Sequence, residues 1–144
     1  MKKIIVLVTI CFMVSLIATA SKPADSGIQE LDMKAFKEKV WNLDKNEIFL
    51  CEEKLPIILD FSATWAAPCK KILPHLVALQ EKYNGKLLIY EIDVDKSPEI
   101  ARLFNADAVP TLIFIPNNNS FEALLGYKEY NELDAAVNSL FFKK

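Results

Sequence analysis

An α/β fold, with a central mixed β-sheet and helices on both faces, is the class this sequence predicts. Three observations carry it. Apolar residues recur three or four apart in several segments, the signature of one-sided helices. Between them lie short, nearly continuous apolar runs, the look of strands covered on both faces. Their order reads α-β-α-β-α-β-β-α, a β-α-β unit leading into a hairpin and a last helix.

At 144 residues the chain has room for one domain with a real core. With 17 Lys and Arg against 19 Asp and Glu it is formally −2, so no basic field exists for phosphates and no nucleic-acid partner is expected. A hydrophobic content of 52% with 3 Gly argues against disorder, and 3 Cys are too few for a disulfide-stapled scaffold. There is no internal repeat or second domain, and the chain is read as a monomer.

Residues 1–20 are set apart. Lys2 and Lys3 precede an apolar run from Ile4 to Ile17, and Ala18-Thr19-Ala20 puts small residues at −3 and −1, the parts of a secretory signal cleaved after Ala20. A membrane anchor is the alternative, but the run falls short of the roughly 20 residues needed to span. Lipidation at Cys11 is disfavoured because Ile10, not a small residue, precedes it. The protein is therefore expected to be exported, in a bacterium to the periplasm. Export permits disulfides without requiring one. Small and polar residues make 21–30 a flexible leader, and the folded domain is expected over 31–144.

Within the domain, Met33, Phe36, Val40 and Leu43 give one apolar face to a helix over 32–43. Residues 56–61 form the first doubly covered strand. Ile72, Leu76, Leu79 and Tyr83 mark a helix over 68–83, kinked at Pro74 and stopped by Gly85. A strand over 86–94 precedes a short helix with Ser97 as its capping hydroxyl, Pro98 at its first position and its end near Asn105. Strands over 111–115 and 121–125 flank the turn residues Pro116-Asn117-Asn118-Asn119. Asn131 caps a last helix carrying Leu133, Val137 and Leu140.

The chemistry is concentrated where the first strand runs through Ser62-Ala63-Thr64 into Trp65-Ala66-Ala67-Pro68-Cys69-Lys70. Asp60 lies inside an apolar strand, and an acid buried there has its pKa raised. The residues alone leave equal room for an Asp that reaches solvent at the strand end.

The stretch Asp60-Phe61-Ser62-Ala63-Thr64-Trp65, then x-x-Pro-Cys-Lys, Pro74 five residues past Cys69, and Val109-Pro110-Thr111 downstream, resembles thioredoxin. The likeness covers about 31–142, with spacing and element order both matching. It implies a thioredoxin fold and a thiol–disulfide oxidoreductase that needs no cofactor. Its partners would be disulfide-containing proteins or peptides and a reductant or oxidant protein. The family motif is Trp-Cys-Gly-Pro-Cys-Lys, and this sequence departs from it where it matters, with Ala66 at the first cysteine.

In Cys-x-x-Cys the first thiol, at a helix N-terminus, attacks a substrate disulfide, and the second then attacks the mixed disulfide. Ala66 has no sulfur, so the chain as written lacks that exchange. It is read as a working oxidoreductase whose nucleophile has been removed, an engineered inactive or substrate-trapping form. The alternatives are a natural redox-silent peptide-binding module and a monothiol enzyme pairing Cys69 with glutathione. The resemblance also implies that Asp60 relays a proton for Cys69, with Glu91 where the family carries a Lys facing that acid. It makes Val109–Pro110 a cis peptide whose Val109 backbone pairs with substrate, and Trp65, Ala67 and Pro68 part of the substrate surface.

Cys51 precedes the strand that Cys69 follows, too far for a disulfide, which needs Cα atoms within about 7 Å. It reads as a partly buried small apolar residue. His75, the one histidine, reads as a solvated helix side chain, and Glu30, Glu38, Glu52 and Glu53 as solvated faces. No metal-ligand spacing or phosphate loop is present.

Overall fold

Alternation along residues 57–62 sets the layering. Ile57, Leu59 and Phe61 enter one core with Phe36, Val40 and Ile100, while Ile58 enters another with Ile72, Leu76 and Leu133. One strand thus supplies two cores, which requires helices on both faces of its sheet.

A computed structural model describes residues 27–143. The expected signal segment, with Cys11, and most of the expected leader lie outside them. The elements are β1 (Gln29–Glu30), α1 (Met33–Lys39), β2 (Ile57–Ser62), α2 (Ala67–Lys82), β3 (Leu88–Asp93), α3 (Pro98–Leu103), β4 (Thr111–Ile115), β5 (Glu122–Leu125) and α4 (Tyr130–Val137), closed by a π-helical turn, Asn138–Phe142. The sheet order is β1-β3-β2-β4-β5. β1, β3 and β2 are parallel; β4 runs antiparallel to β2 and to β5. Helices α1 and α3 cover one face and α2 and α4 the other.

Several boundaries differ from the sequence reading for identifiable reasons. The leader expected to reach Glu30 ends sooner, because Gln29 and Glu30 pair with Tyr90 and Glu91 on β3. Helix α1 stops at Lys39 rather than Leu43: the Val40 carbonyl accepts from Glu52 N–H (2.9 Å) and Trp41 bridges to Cys51. The Asp32 side chain caps it, accepting from Ala35 N–H at 2.8 Å. Ser97 sits at the N-cap of α3 but makes no side-chain cap bond. Asp93 closes the turn that precedes the helix, its Oδ1 accepting from the N–H groups of Asp95 and Lys96. The last helix is capped by Glu129, not Asn131, through a capping box with Glu132. Pro74 lies inside α2, and past the end of that helix Gly85 takes a positive φ of 75° that lets the chain reverse.

The α1–β2 connection is held by aromatic packing. Phe104 meets Phe36, Phe49, Phe61 and Phe121 with ring centroids 5.1–6.1 Å apart, and Trp41 packs edge-on against Phe49.

Candidate functional site

The chain leaves β2 at Ser62 and enters α2 at Ala67, so the intervening turn stands at the end of the central strands. Ala66 is the N-cap of α2 and makes no side-chain cap bond, since a methyl group has nothing to offer the free N–H groups. Its carbonyl accepts from Cys69 N–H (3.1 Å) and Lys70 N–H (3.3 Å), and its own N–H donates to the Ala63 carbonyl (3.1 Å). Pro68, in the first turn, lacks only an N–H that would have no partner within the helix.

Ala63, Ala66 and Cys69 form a small buried cluster against Val94 and Val109. The Val109–Pro110 peptide is cis, and Thr111 Oγ1 donates to the Ala108 carbonyl at 2.7 Å, closing that turn. The structure thus brings Ala66, Cys69 and Val109 together.

Trp65 stands outside this cluster, 71% exposed, its Nε1 donating to Asp95 Oδ2 at 2.8 Å. With Ala66, Ala67, Pro68, Val94 and Val109 it lines a groove of about 360 Å³, completed by Ala106, Asp107 and Ala108. Those last three residues and Asp95 were not singled out in the sequence. Asp95 is 30 positions from the indole it holds, and no local pattern announces such a contact.

A second cavity, also of about 360 Å³, is lined by Asp60, Ser62, Cys69, Lys70 and Glu91 among others. Asp60 is 1% exposed and its Oδ1 has no hydrogen-bond partner. Burial, and then the Glu91 charge, push its carboxyl up to about 7. Glu91 is its register partner on β3 and does face the cavity. Ser62, absent from the sequence-based site, donates from Oγ to Glu91 Oε1. Its signal was available: two positions past Asp60 on a strand places it on the same face.

Cys69 is 5% exposed. Burial pushes its thiol above the usual range, opposed by a backbone hydrogen bond from Ala63 and reinforced by the charges of Asp60 and Glu91. The helix N-terminus therefore does not leave this sulfur a ready thiolate.

Cys51 lies at the opposite end of the sheet. Its N–H donates to Asn119 Oδ1 (3.1 Å), beyond the Ile57–Ile115 pair, whereas Cys69 lies beyond Ser62. Both thiols are free, and Cys51 is half-buried against the α1–α3 core. His75 is not solvated as expected: half-buried, its Nδ1 donates to the Lys128 carbonyl at 3.2 Å and its ring lies 5.8 Å from that of Tyr127. Glu53 is half-buried too, accepting from the Tyr90 hydroxyl at 3.3 Å. Among the described residues no cluster of three or more His, Cys, Asp or Glu could hold a metal ion.

A mixed sheet with a cysteine in the first turn of the helix leaving its central strand, beside a cis X-Pro turn, is the layout of the thioredoxin-like class of thiol-redox folds. Comparison with known proteins narrows this. The thioredoxin family model matches residues 28–139, and the chain belongs to the thioredoxin family. It is 30% identical over 115 residues to the chloroplastic thioredoxin M-type of Spinacia oleracea, covering 80% of this chain and 58% of that protein. It is 35% identical over 100 residues to thioredoxin H2 of Arabidopsis thaliana, covering 69% and 72%. Among solved structures, mitochondrial thioredoxin 3 of Saccharomyces cerevisiae in its oxidised form superposes with a TM-score of 0.63 at 28% identity, over 81% of this chain and all of that one. Chloroplastic thioredoxin z gives 0.66 at 19% identity over 78% and 93%, a likeness of fold.

Proposed function

We propose that this chain is the scaffold of an exported thiol–disulfide oxidoreductase from which the attacking sulfur has been removed at Ala66. One observation carries the reading. A buried methyl group, 4% exposed, occupies the N-cap of α2 and shares one apolar cluster with Cys69 and Val109. A thiol placed there would meet the unpaired N–H groups of the helix start, which favour its thiolate form.

In the reaction this scaffold suits, that thiolate attacks a substrate disulfide held along the groove by Trp65, Ala67, Pro68 and Val109. One S–S bond breaks, a mixed disulfide forms and the substrate's other sulfur leaves as thiolate. Cys69 then attacks the mixed disulfide, giving up its proton to Asp60, and the substrate departs with two thiols while the protein holds the new disulfide. A partner protein would reset that disulfide. With Ala66 in place neither step occurs.

The signal-like residues 1–20 support export, followed by cleavage near Ala20 and a periplasmic location.

The test is Ala66→Cys in a dithiol-coupled insulin reduction assay. The expected result is turnover where the parent chain gives none, and no gain of activity would count heavily against the proposal. A second reading, a redox-silent module that holds peptides, draws support from the groove, which is complete without a nucleophile and flanked by exposed Trp65. It requires peptide binding that survives alkylation of Cys69. The monothiol reading is disfavoured, because Cys69 is buried and its thiol raised rather than exposed and acidic.

A further inference from the structure

The groove beside Ala66 carries charge of one sign. Among the described residues that line it, Asp107 is the one with a charged side chain, and the others are apolar. Asp107 is exposed and stands in a fixed turn. Its N–H donates to the Asn105 carbonyl at 3.0 Å, Asn105 takes a positive φ of 52°, and Ala106 N–H donates to the Ala101 carbonyl at 2.9 Å. On the Trp65 side, exposed Asp95 accepts from the indole Nε1 at 2.8 Å, which puts a second carboxylate at the edge of that ring.

Among the described residues no cation pairs with either acid. Lys96, next to Asp95 in sequence, is held instead by Glu30 at 2.7 Å and Asp93 at 3.7 Å. Lys70, which follows Cys69, lines the second cavity. The Trp65 indole is 71% exposed, so most of its ring is open to a ligand. An aromatic face with a carboxylate at its edge suits a guanidinium, which can stack on the ring while its N–H groups turn to the acid.

We propose that the groove selects disulfide-containing polypeptides with an arginine beside the target cysteine, Trp65 and Asp95 receiving the guanidinium and Asp107 extending the same field along the groove. Two carboxylates without partner cations, bordering an apolar surface, attract a cationic side chain and repel an anionic one. Such charges decide partner choice and encounter rate more than total affinity. The apolar wall accepts the chain around the half-cystine, and the acids choose what flanks it. None of these groups is at position 66, so the preference survives the loss of the attacking sulfur. It rests on the groove being the substrate surface proposed above, and it adds the charge of the substrate.

The test measures, by titration calorimetry, binding of the full Ala66 chain to short peptides that differ only in the residue before a central S-methylated cysteine: arginine, alanine or glutamate. At low ionic strength the arginine peptide should bind about tenfold tighter than the glutamate peptide, with alanine between them, and about 0.5 M NaCl should shrink that ratio to about threefold or less. Asp107→Asn and Asp95→Asn should each lower the low-salt ratio to about threefold. Glu122→Gln, which removes the same charge from an exposed position on β5, should leave it unchanged. Equal affinity for the three peptides, no measurable binding of the arginine peptide, or an equal loss of preference in Glu122→Gln overturns the proposal. If the ratio persists while Ala66→Cys fails to reduce insulin, the oxidoreductase reading fails and the peptide preference stands. Insulin reduction with no charge preference has the opposite meaning.

Discussion

Asp60 and Glu91 face each other across two parallel strands, and both line the cavity that borders Cys69. Asp60 rises from 3.8 to about 7, so between those pH values the folded protein holds a proton that the unfolded chain has already lost. Stability then falls as pH rises through that window and levels off above it. Asp60→Asn removes the penalty. It should raise stability by roughly 2 to 4 kcal/mol above the window and change little below it, as read from urea unfolding at both ends. A variant less stable than the parent at alkaline pH would contradict this.

Cys51 and Cys69, the free thiols among the described residues, should stay apart. β2 alone spans about 17 Å between its ends, and a disulfide needs Cα atoms within about 7 Å. Oxidation of the folded chain should therefore leave Cys51 and Cys69 unpaired with each other, and Cys69, at 5% exposed, should alkylate more slowly than half-buried Cys51 until the protein unfolds. Peptide mapping after timed alkylation checks both points.

Phe104, 4% exposed, is the hub of the aromatic cluster that holds the α1–β2 connection to the core. Phe104→Ala should cost about 3 to 5 kcal/mol in chemical unfolding. Because the cluster also holds Phe49 and Phe121, the loss should come with earlier proteolysis in the 42–55 connection.

Trp65 is built the other way, mostly exposed and tied by one hydrogen bond to Asp95. Trp65→Ala should change stability by less than about 1 kcal/mol while weakening any peptide held in the groove. Calorimetry of unfolding and of peptide binding separates the two effects.

The layered α/β architecture and its central strands could be read from periodicity because both cores are built from local repeats: Ile57 and Leu59 against Ile58 on β2, Ile72, Leu76 and Leu79 on α2. What escaped was decided by distant partners. Gln29 and Glu30 have no strand pattern of their own and become β1 only by pairing with β3. Leu43 continues an apolar helical spacing, yet the pairing of residues 40 and 41 with 51 and 52 ends α1 first. At the site, Asp60, Ala66 and Cys69 were visible in one stretch of sequence. Asp95, Asp107 and the Ser62–Glu91 bond were not, since the groups that meet there come from separate strands and turns.

The central claim is that Ala66 stands where a sulfur would meet Cys69 within one helical turn. Its most direct test equilibrates Ala66→Cys with mixtures of oxidised and reduced glutathione and maps the products. A single reversible disulfide between position 66 and Cys69, with Cys51 left free, is the expected result. Persistent mixed disulfides with glutathione at position 66, or a bridge to Cys51, would contradict it.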